Sequence, residues 1–300
     1  MFADSAGSLR ATDHAWDSKD CLRNPQLRLG FWPALGILLT MDPIVLEQVG
    51  KDYPGGVAGL RDFSLTVKAG EIFGFLGPNG AGKTTTIKML LGFFPPSAGV
   101  VRVFGDDPAR PESRRRLGYL PEVAQYYGFL TPRELLRFYG RVCNLPAERI
   151  TRRTAELLAL VGLEAAADRP MKTFSKGMQQ RAGIAQALLH DPDLLILDEP
   201  MTGLDPLARA QFREVILAQR QAGKTVFFSS HELSEAEMIC DRVGILKAGR
   251  LLWCGPTRDL AGDGQGNLER IFLKLITQPQ PGIAGTKTNI EHSTFNIQRG

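Results

Sequence analysis

A lysine and a threonine close the stretch Gly77-Pro78-Asn79-Gly80-Ala81-Gly82-Lys83-Thr84-Thr85, and their spacing from the glycines is that of a phosphate cradle. The pattern G-x-x-x-x-G-K-[ST] holds nucleoside triphosphates when a strand enters it and a helix leaves it. Gly80 and Gly82 can take backbone conformations that other residues avoid, so successive N–H groups turn inward toward an anion. The N-terminus of the following helix adds its dipole. Lys83 supplies a mobile cation for the β- and γ-phosphates, and the Thr84 hydroxyl can reach a Mg2+ ion. A glycine-rich turn that binds nothing would need the glycines but not the Lys-Thr pair. The second chemical pair is Asp198-Glu199. A carboxylate ending a buried strand holds Mg2+ through its water shell in phosphate-loop enzymes, and a neighbouring one can orient and deprotonate the attacking water. Taken alone, Asp198-Glu199-Pro200 would also fit a charged turn.

Those residues need elements to position them. Glu71 to Leu76 reads as the entering strand, and Thr84 to Leu91, ended by Gly92, as the leaving helix. Upstream, Ile44 to Val49 has a strand pattern and Pro54-Gly55-Gly56 a turn. Phe63, Leu65 and Val67 alternate with polar residues, and Val100 to Gly105 follows as another strand. This β-layer flanks the loop. From about 106 to 190 the spacing turns helical, over Pro132 to Gly140, Thr151 to Val161 and Lys176 to His190 with Ser175 as N-cap. Leu194 to Leu197 and Thr225 to Phe228 are continuous apolar runs, expected of strands covered on both faces. A helix from Pro206 to about Gln221 joins them, and Val243 to Trp253 reads as a terminal hairpin.

Composition removes several classes. A net charge of +4 over 300 residues is too small for a nucleic-acid-coating surface, so no nucleic-acid partner is expected. The basic cluster Arg110 with Arg114, Arg115 and Arg116 reads as a solvated face. Cys21, Cys143, Cys240 and Cys254 lie far apart without metal spacing, which fits reduced thiols. Phe31 to Met41 is the most apolar candidate span, yet it is about half the ~20 residues a membrane helix needs. Residues 1–40 read as a disordered leader or an over-extended start with Met41 as initiator, 41–276 as the functional domain, and 277–300 as a polar tail.

The stretch Thr173-Phe174-Ser175-Lys176-Gly177-Met178-Gln179-Gln180-Arg181 is similar to the signature of the ATP-binding subunits of ABC transporters, usually L-S-G-G-Q. With the motifs above, residues 44 to 276 resemble that family, most closely its ABC-2-type exporter class. Phe174, Lys176 and Met178 depart from the usual signature, while Ser175 and Gly177 keep it. The resemblance implies an α/β fold: a P-loop NTPase core with a mostly parallel sheet, a flanking antiparallel β-layer and an inserted helical subdomain over about 106–190. It implies that Ser175, Lys176, Gly177 and Met178 face the γ-phosphate held by a second copy of the chain. Gly203-Leu204-Asp205-Pro206 resembles the D-loop, which crosses that dimer interface, and Asp205 also suits a helix N-cap. His231 resembles the H-loop histidine that contacts the γ-phosphate, and Tyr53 the aromatic that stacks on adenine. Glu122 stands where many relatives carry a Mg2+-approaching glutamine.

The implied protein is an ATPase using ATP and Mg2+, peripheral at the cytoplasmic face of the cell membrane. It would power a separate integral membrane permease, in the export direction. Its catalytic residues would be Glu199, His231 and Lys83, and its metal-side residues Thr84, Asp198 and Glu122. The nucleotide would lie on Tyr53, residues 77 to 85, and Ser175 to Met178 with Asp205. The alternative is a non-transport ABC ATPase, regulatory or nucleic-acid-linked. A GTPase is disfavoured because no Asn here is followed by Lys.

Overall fold

Alternation of apolar and polar residues builds the first layer and continuous apolar runs build the second. The structure, a computed structural model, describes residues 41–55, 57–260 and 268–277, so the expected leader and the tail beyond Thr277 lie outside the described residues. The chain runs β1 (Ile44–Tyr53), β2 (Val57–Val67), β3 (Ile72–Leu76), α1 (Lys83–Leu90), β4 (Ala98–Val103), α2 (Pro111–Arg114) and β5 (Leu117–Leu120). It continues with α3 (Pro132–Val142), α4 (Ala147–Leu160), α5 (Lys176–Leu188), β6 (Leu194–Leu197), α6 (Pro206–Gln221) and β7 (Thr225–Ser230). Then follow α7 (Leu233–Ile239), β8 (Arg242–Lys247), β9 (Arg250–Pro256), α8 (Thr257–Leu260) and α9 (Leu268–Thr277).

β2, β1 and β4 form a three-stranded antiparallel sheet. The six-stranded sheet has the order β5-β6-β7-β3-β8-β9, parallel except for β9, which returns antiparallel on β8. Strands β3, β6 and β7 are buried along their whole length. Their successive side chains go to opposite faces, as strand geometry requires. Phe73, Phe75, Leu194, Ile196 and Phe227 meet α1 and the antiparallel layer, with Ile44, Leu46, Phe63 and Ile87. Leu76, Leu195, Leu197, Val226 and Phe228 meet the helical side through Leu135, Leu157, Ile184, Leu188 and Phe212. Phe227 packs on Phe73 at 5.8 Å and on Phe75 at 5.3 Å between ring centroids. Each such fully buried phenyl stabilises the fold by about 1.5–3 kcal/mol.

Several boundaries differ from the sequence expectation. The span 106–190, read as helical, also holds β5, which pairs with β6 at the sheet edge. Four residues with Gly118 inside give too short a pattern to signal a strand. Helix α4 begins at Ala147, four residues before the expected Thr151, because Pro146 precedes it as an N-cap. Helix α3 starts with a full capping box between Thr131 and Glu134, with Pro132 in the first turn. Helix α2 falls within the span read as helical, whereas helices α7, α8 and α9 have no counterpart in the sequence reading. Among the described residues no helix is long and apolar enough to cross a membrane.

Candidate active site

Because β5, β6, β7 and β3 are parallel neighbours, the loops leaving their C-terminal ends lie on one edge of the sheet. Ligands of open α/β sheets bind at that edge. The phosphate loop leaves β3, Asp198-Glu199 leaves β6, His231 leaves β7 and Glu122 leaves β5. Residues as distant in sequence as Gly77 and His231 are thereby brought together.

The loop has the backbone its glycines predict. Gly80 has φ +76° and Gly82 φ +110°, both in the left-handed region. A Cβ on Gly82 would lie 2.7 Å from Leu60 Cδ2 and 2.8 Å from the Gly59 carbonyl, so β2 presses against the cradle there. Gly77 N–H donates to the Ser230 carbonyl at 3.3 Å, which ties the loop to the end of β7. Lys83 opens α1 and is almost fully buried. Its Nζ donates to the Gly77 carbonyl at 2.6 Å and the Pro78 carbonyl at 3.3 Å, and it lies 3.1 Å from Glu199 Oε1.

Glu199 is the centre of this arrangement. Its backbone has φ +47°, uncommon for a residue with a side chain and a sign of local strain. Its Oε2 accepts from the Thr202 hydroxyl at 3.2 Å and lies 2.8 Å from His231 Nδ1. Burial acts to raise the Glu199 carboxyl, but the Lys83 ammonium and then His231 outweigh it and hold it below the ordinary glutamate range. The neighbouring Asp198 is pushed the other way. Burial raises it, the charges of Glu122 and Glu199 add to this, and the Ser229 and Thr84 hydroxyls oppose. Adjacent carboxyls are thus pushed in opposite directions, Glu199 down and Asp198 up. Asp198 with the Thr84 hydroxyl fits Mg2+, which is usually held by one or two carboxylates together with substrate phosphates. The nearby Tyr119 hydroxyl is pushed up to about 12 by burial and the Asp198 charge.

Ser229 was missed as a site residue. Its hydroxyl donates to Asp198 Oδ1 at 2.7 Å and accepts from the Glu199 N–H at 2.9 Å, so one fully buried side chain fixes both carboxylate residues. The signal was a serine directly after the apolar run Val226-Phe227-Phe228 and still within the buried strand. Thr202 was missed too, since a threonine in a turn carries no mark of its partner.

Tyr53 ends β1 half-buried, with its hydroxyl 3.1 Å from the Thr85 hydroxyl and its ring edge-on to Phe94 at 6.1 Å. Asn79 is exposed on the loop, Pro78 half-buried and Ala81 buried. Ser175, Lys176, Gly177, Met178 and Asp205 form a second group. Ser175 caps α5 through the Met178 N–H at 3.3 Å, and Asp205 caps α6 through the Ala208 N–H at 2.8 Å. Lys176 lies along Gly203, and the α5 tip faces Leu204 and Ala208. Among the described residues, none of these five hydrogen-bonds to the phosphate loop. Glu122 is exposed, and only its charge reaches Asp198.

Comparison with known proteins bears on this geometry. A family model described as ABC transporter matches residues 60–202. An ABC transporter ATP-binding protein of Nostoc sp. is 49% identical over 263 residues, which cover 83% of this chain and 78% of the relative. The Nod factor export ATP-binding protein I of Cupriavidus metallidurans is 41% identical, over 72% of this chain and 71% of the relative. A solved structure titled as the ATP binding subunit of an ABC transporter superposes with a TM-score of 0.71 at 33% identity, covering 77% of this chain and 98% of that one. Phosphate loop, paired carboxylates and histidine stand on one sheet edge in a chain so related; it belongs to the ABC transporter ATP-binding family.

Proposed function

We propose that the chain binds and hydrolyses ATP as the energy-supplying subunit of an exporter, working with a separate membrane permease at the cytoplasmic face of the membrane. The observation that carries this reading is Glu199 held between Lys83 at 3.1 Å and His231 at 2.8 Å, next to Asp198 at the end of a buried strand. The uncommitted backbone N–H groups of the phosphate loop hold the phosphates, and the Tyr53 ring takes the adenine. Lys83 exchanges the Glu199 carboxylate for β- and γ-phosphate oxygens. That leaves Glu199 Oε1 open to an attacking water, whose proton it accepts while His231 and Thr202 hold Oε2. Mg2+, held on the Thr84 and Asp198 side, would neutralise charge developing on the phosphates.

The Ser175-led tip of α5 offers free N–H groups at a helix start, a second anion site. In this reading it faces the γ-phosphate of a second copy, with Asp205 at the interface between them. Hydrolysis removes the shared anion and lets the copies part, and the helices between β5 and β6 pass the motion to the permease. Export is supported by the relative named for Nod factor export. The test is MgATP turnover with ATP binding measured alongside. Glu199→Gln should keep ATP binding and lose roughly 10²–10⁴ in turnover, as expected when a positioned base is removed. Lys83→Ala should weaken the ATP titration itself. Wild-type turnover by Glu199→Gln would remove Glu199 from the role. Co-purification with a membrane protein that stimulates turnover tests the transport half of the proposal.

A further inference from the structure

The loop after Glu199 and the histidine after β7 are joined by one arginine that neither motif contains. Arg209, in the first turn of α6, donates from Nε to the Leu204 carbonyl at 3.0 Å. Its Nη2 donates to Glu232 Oε1 at 2.8 Å, and its Nη1 bonds the other oxygen of the same carboxylate. This fork-on-fork geometry fixes direction as well as distance. Glu232 is the residue after His231, and its N–H is held by the Ser230 hydroxyl at 2.9 Å. The same guanidinium lies 3.7 Å from Glu235 Oε1 in α7.

The contacts close a ring. Glu199 holds His231 and Thr202, Thr202 leads to Leu204, the Leu204 carbonyl takes Arg209, and Arg209 takes Glu232 beside His231. Only the planar five-donor guanidinium can serve a carbonyl and both oxygens of a carboxylate together.

We infer that Arg209 is a positioning residue for His231, transmitting the placement of the 203–206 loop to the His231–Glu199 pair. The inference rests on the hydrolytic reading of those two residues. With the loop placed as it is, Leu204 holds Arg209, Arg209 holds Glu232, and the imidazole is kept on Glu199. A loop out of place would release the histidine and slow hydrolysis. Glu235, the most buried carboxylate of the group, also has Arg213 at 2.8 Å, so the loss of Arg209 does not leave it without a cation.

The test is a double-mutant cycle on MgATP turnover, with KM for ATP and thermal stability followed throughout. Arg209→Gln should lower kcat by roughly tenfold or more with KM unchanged, the sign of an interaction used only in the reacting complex. Arg209→Lys should fail to restore it. Glu232→Gln, which keeps the shape and removes the charge, should fall between wild type and Arg209→Gln. In a His231→Ala background, Arg209→Gln should bring no further loss. Independent, multiplying losses in that background, or an Arg209→Gln enzyme with wild-type kcat, would overturn the inference. If Arg209→Gln unfolds the chain, Glu232→Gln carries the same cycle. A His231→Ala enzyme with wild-type turnover would instead sink the hydrolytic reading, and the inference with it.

Discussion

Ser229→Ala removes one oxygen and leaves two orphans. The Glu199 N–H loses its acceptor at 2.9 Å and Asp198 Oδ1 loses its donor at 2.7 Å, both inside the core. An unsatisfied buried N–H costs about 1–3 kcal/mol and a lost hydrogen bond to a charged group roughly 1.5–3 kcal/mol, together about 2.5–6 kcal/mol. At roughly 2–4 °C per kcal/mol for a chain of this size, even the smallest sum lowers Tm by about 5 °C. The sign of the pH dependence follows from Asp198. Its carboxyl is already raised by burial, and the Ser229 hydroxyl pulls against that, so the variant raises it further. A carboxyl raised on folding favours the folded state while protonated and loses that benefit as pH rises through its folded value. The Tm deficit should therefore be largest at neutral and alkaline pH and shrink in acid. Mg2+-dependent turnover should move oppositely, with the variant falling further behind wild type as pH drops and Asp198 takes up a proton. Differential scanning calorimetry and a turnover profile from acid to alkaline pH read both. A Tm within about 1 °C of wild type together with an unchanged turnover profile would refute the reasoning.

Gly82→Ala should abolish ATP binding in a titration and lower Tm, because the new methyl would meet Leu60 and the Gly59 carbonyl at a backbone angle that side chains rarely adopt. Tyr53→Ala should weaken ATP binding by roughly tenfold, the order of one lost aromatic stack, while leaving inorganic tripolyphosphate binding unchanged; equal losses for both would place Tyr53 outside the base site. Glu122→Gln should lower the Asp198 carboxyl by removing a like charge, so the acid limb of turnover should move to lower pH. An unmoved limb would separate Glu122 from Asp198.

Much of this site was readable because the chemistry is local in sequence. The phosphate loop, the Asp198-Glu199 pair and the β3, β6 and β7 runs each carry their signal within a few residues, and the glycine angles agree with it. What escaped depends on partners far along the chain. Ser229 is 30 residues from Glu199, and Arg209 is 23 from Glu232, so their roles exist only once β6, β7 and α6 are side by side. The edge strand β5 escaped for another reason. Its four residues gain strand character from pairing with β6, not from a pattern of their own. Helix α7 is short, and its buried Glu235 broke the apolar periodicity that would have announced it; its arginine partners lie in α6.

The account stands on the sharing of one ATP between two copies, and mixing two disabled chains tests this directly. Lys83→Ala has a dead cradle and an intact α5 tip; Ser175→Arg has an intact cradle and a blocked tip. Each alone should be inactive, and the mixture should recover MgATP turnover well above either, because the mixed pair contains one whole site. Turnover in the mixture no higher than the sum of its parts, with the two chains shown to associate, would contradict the shared site.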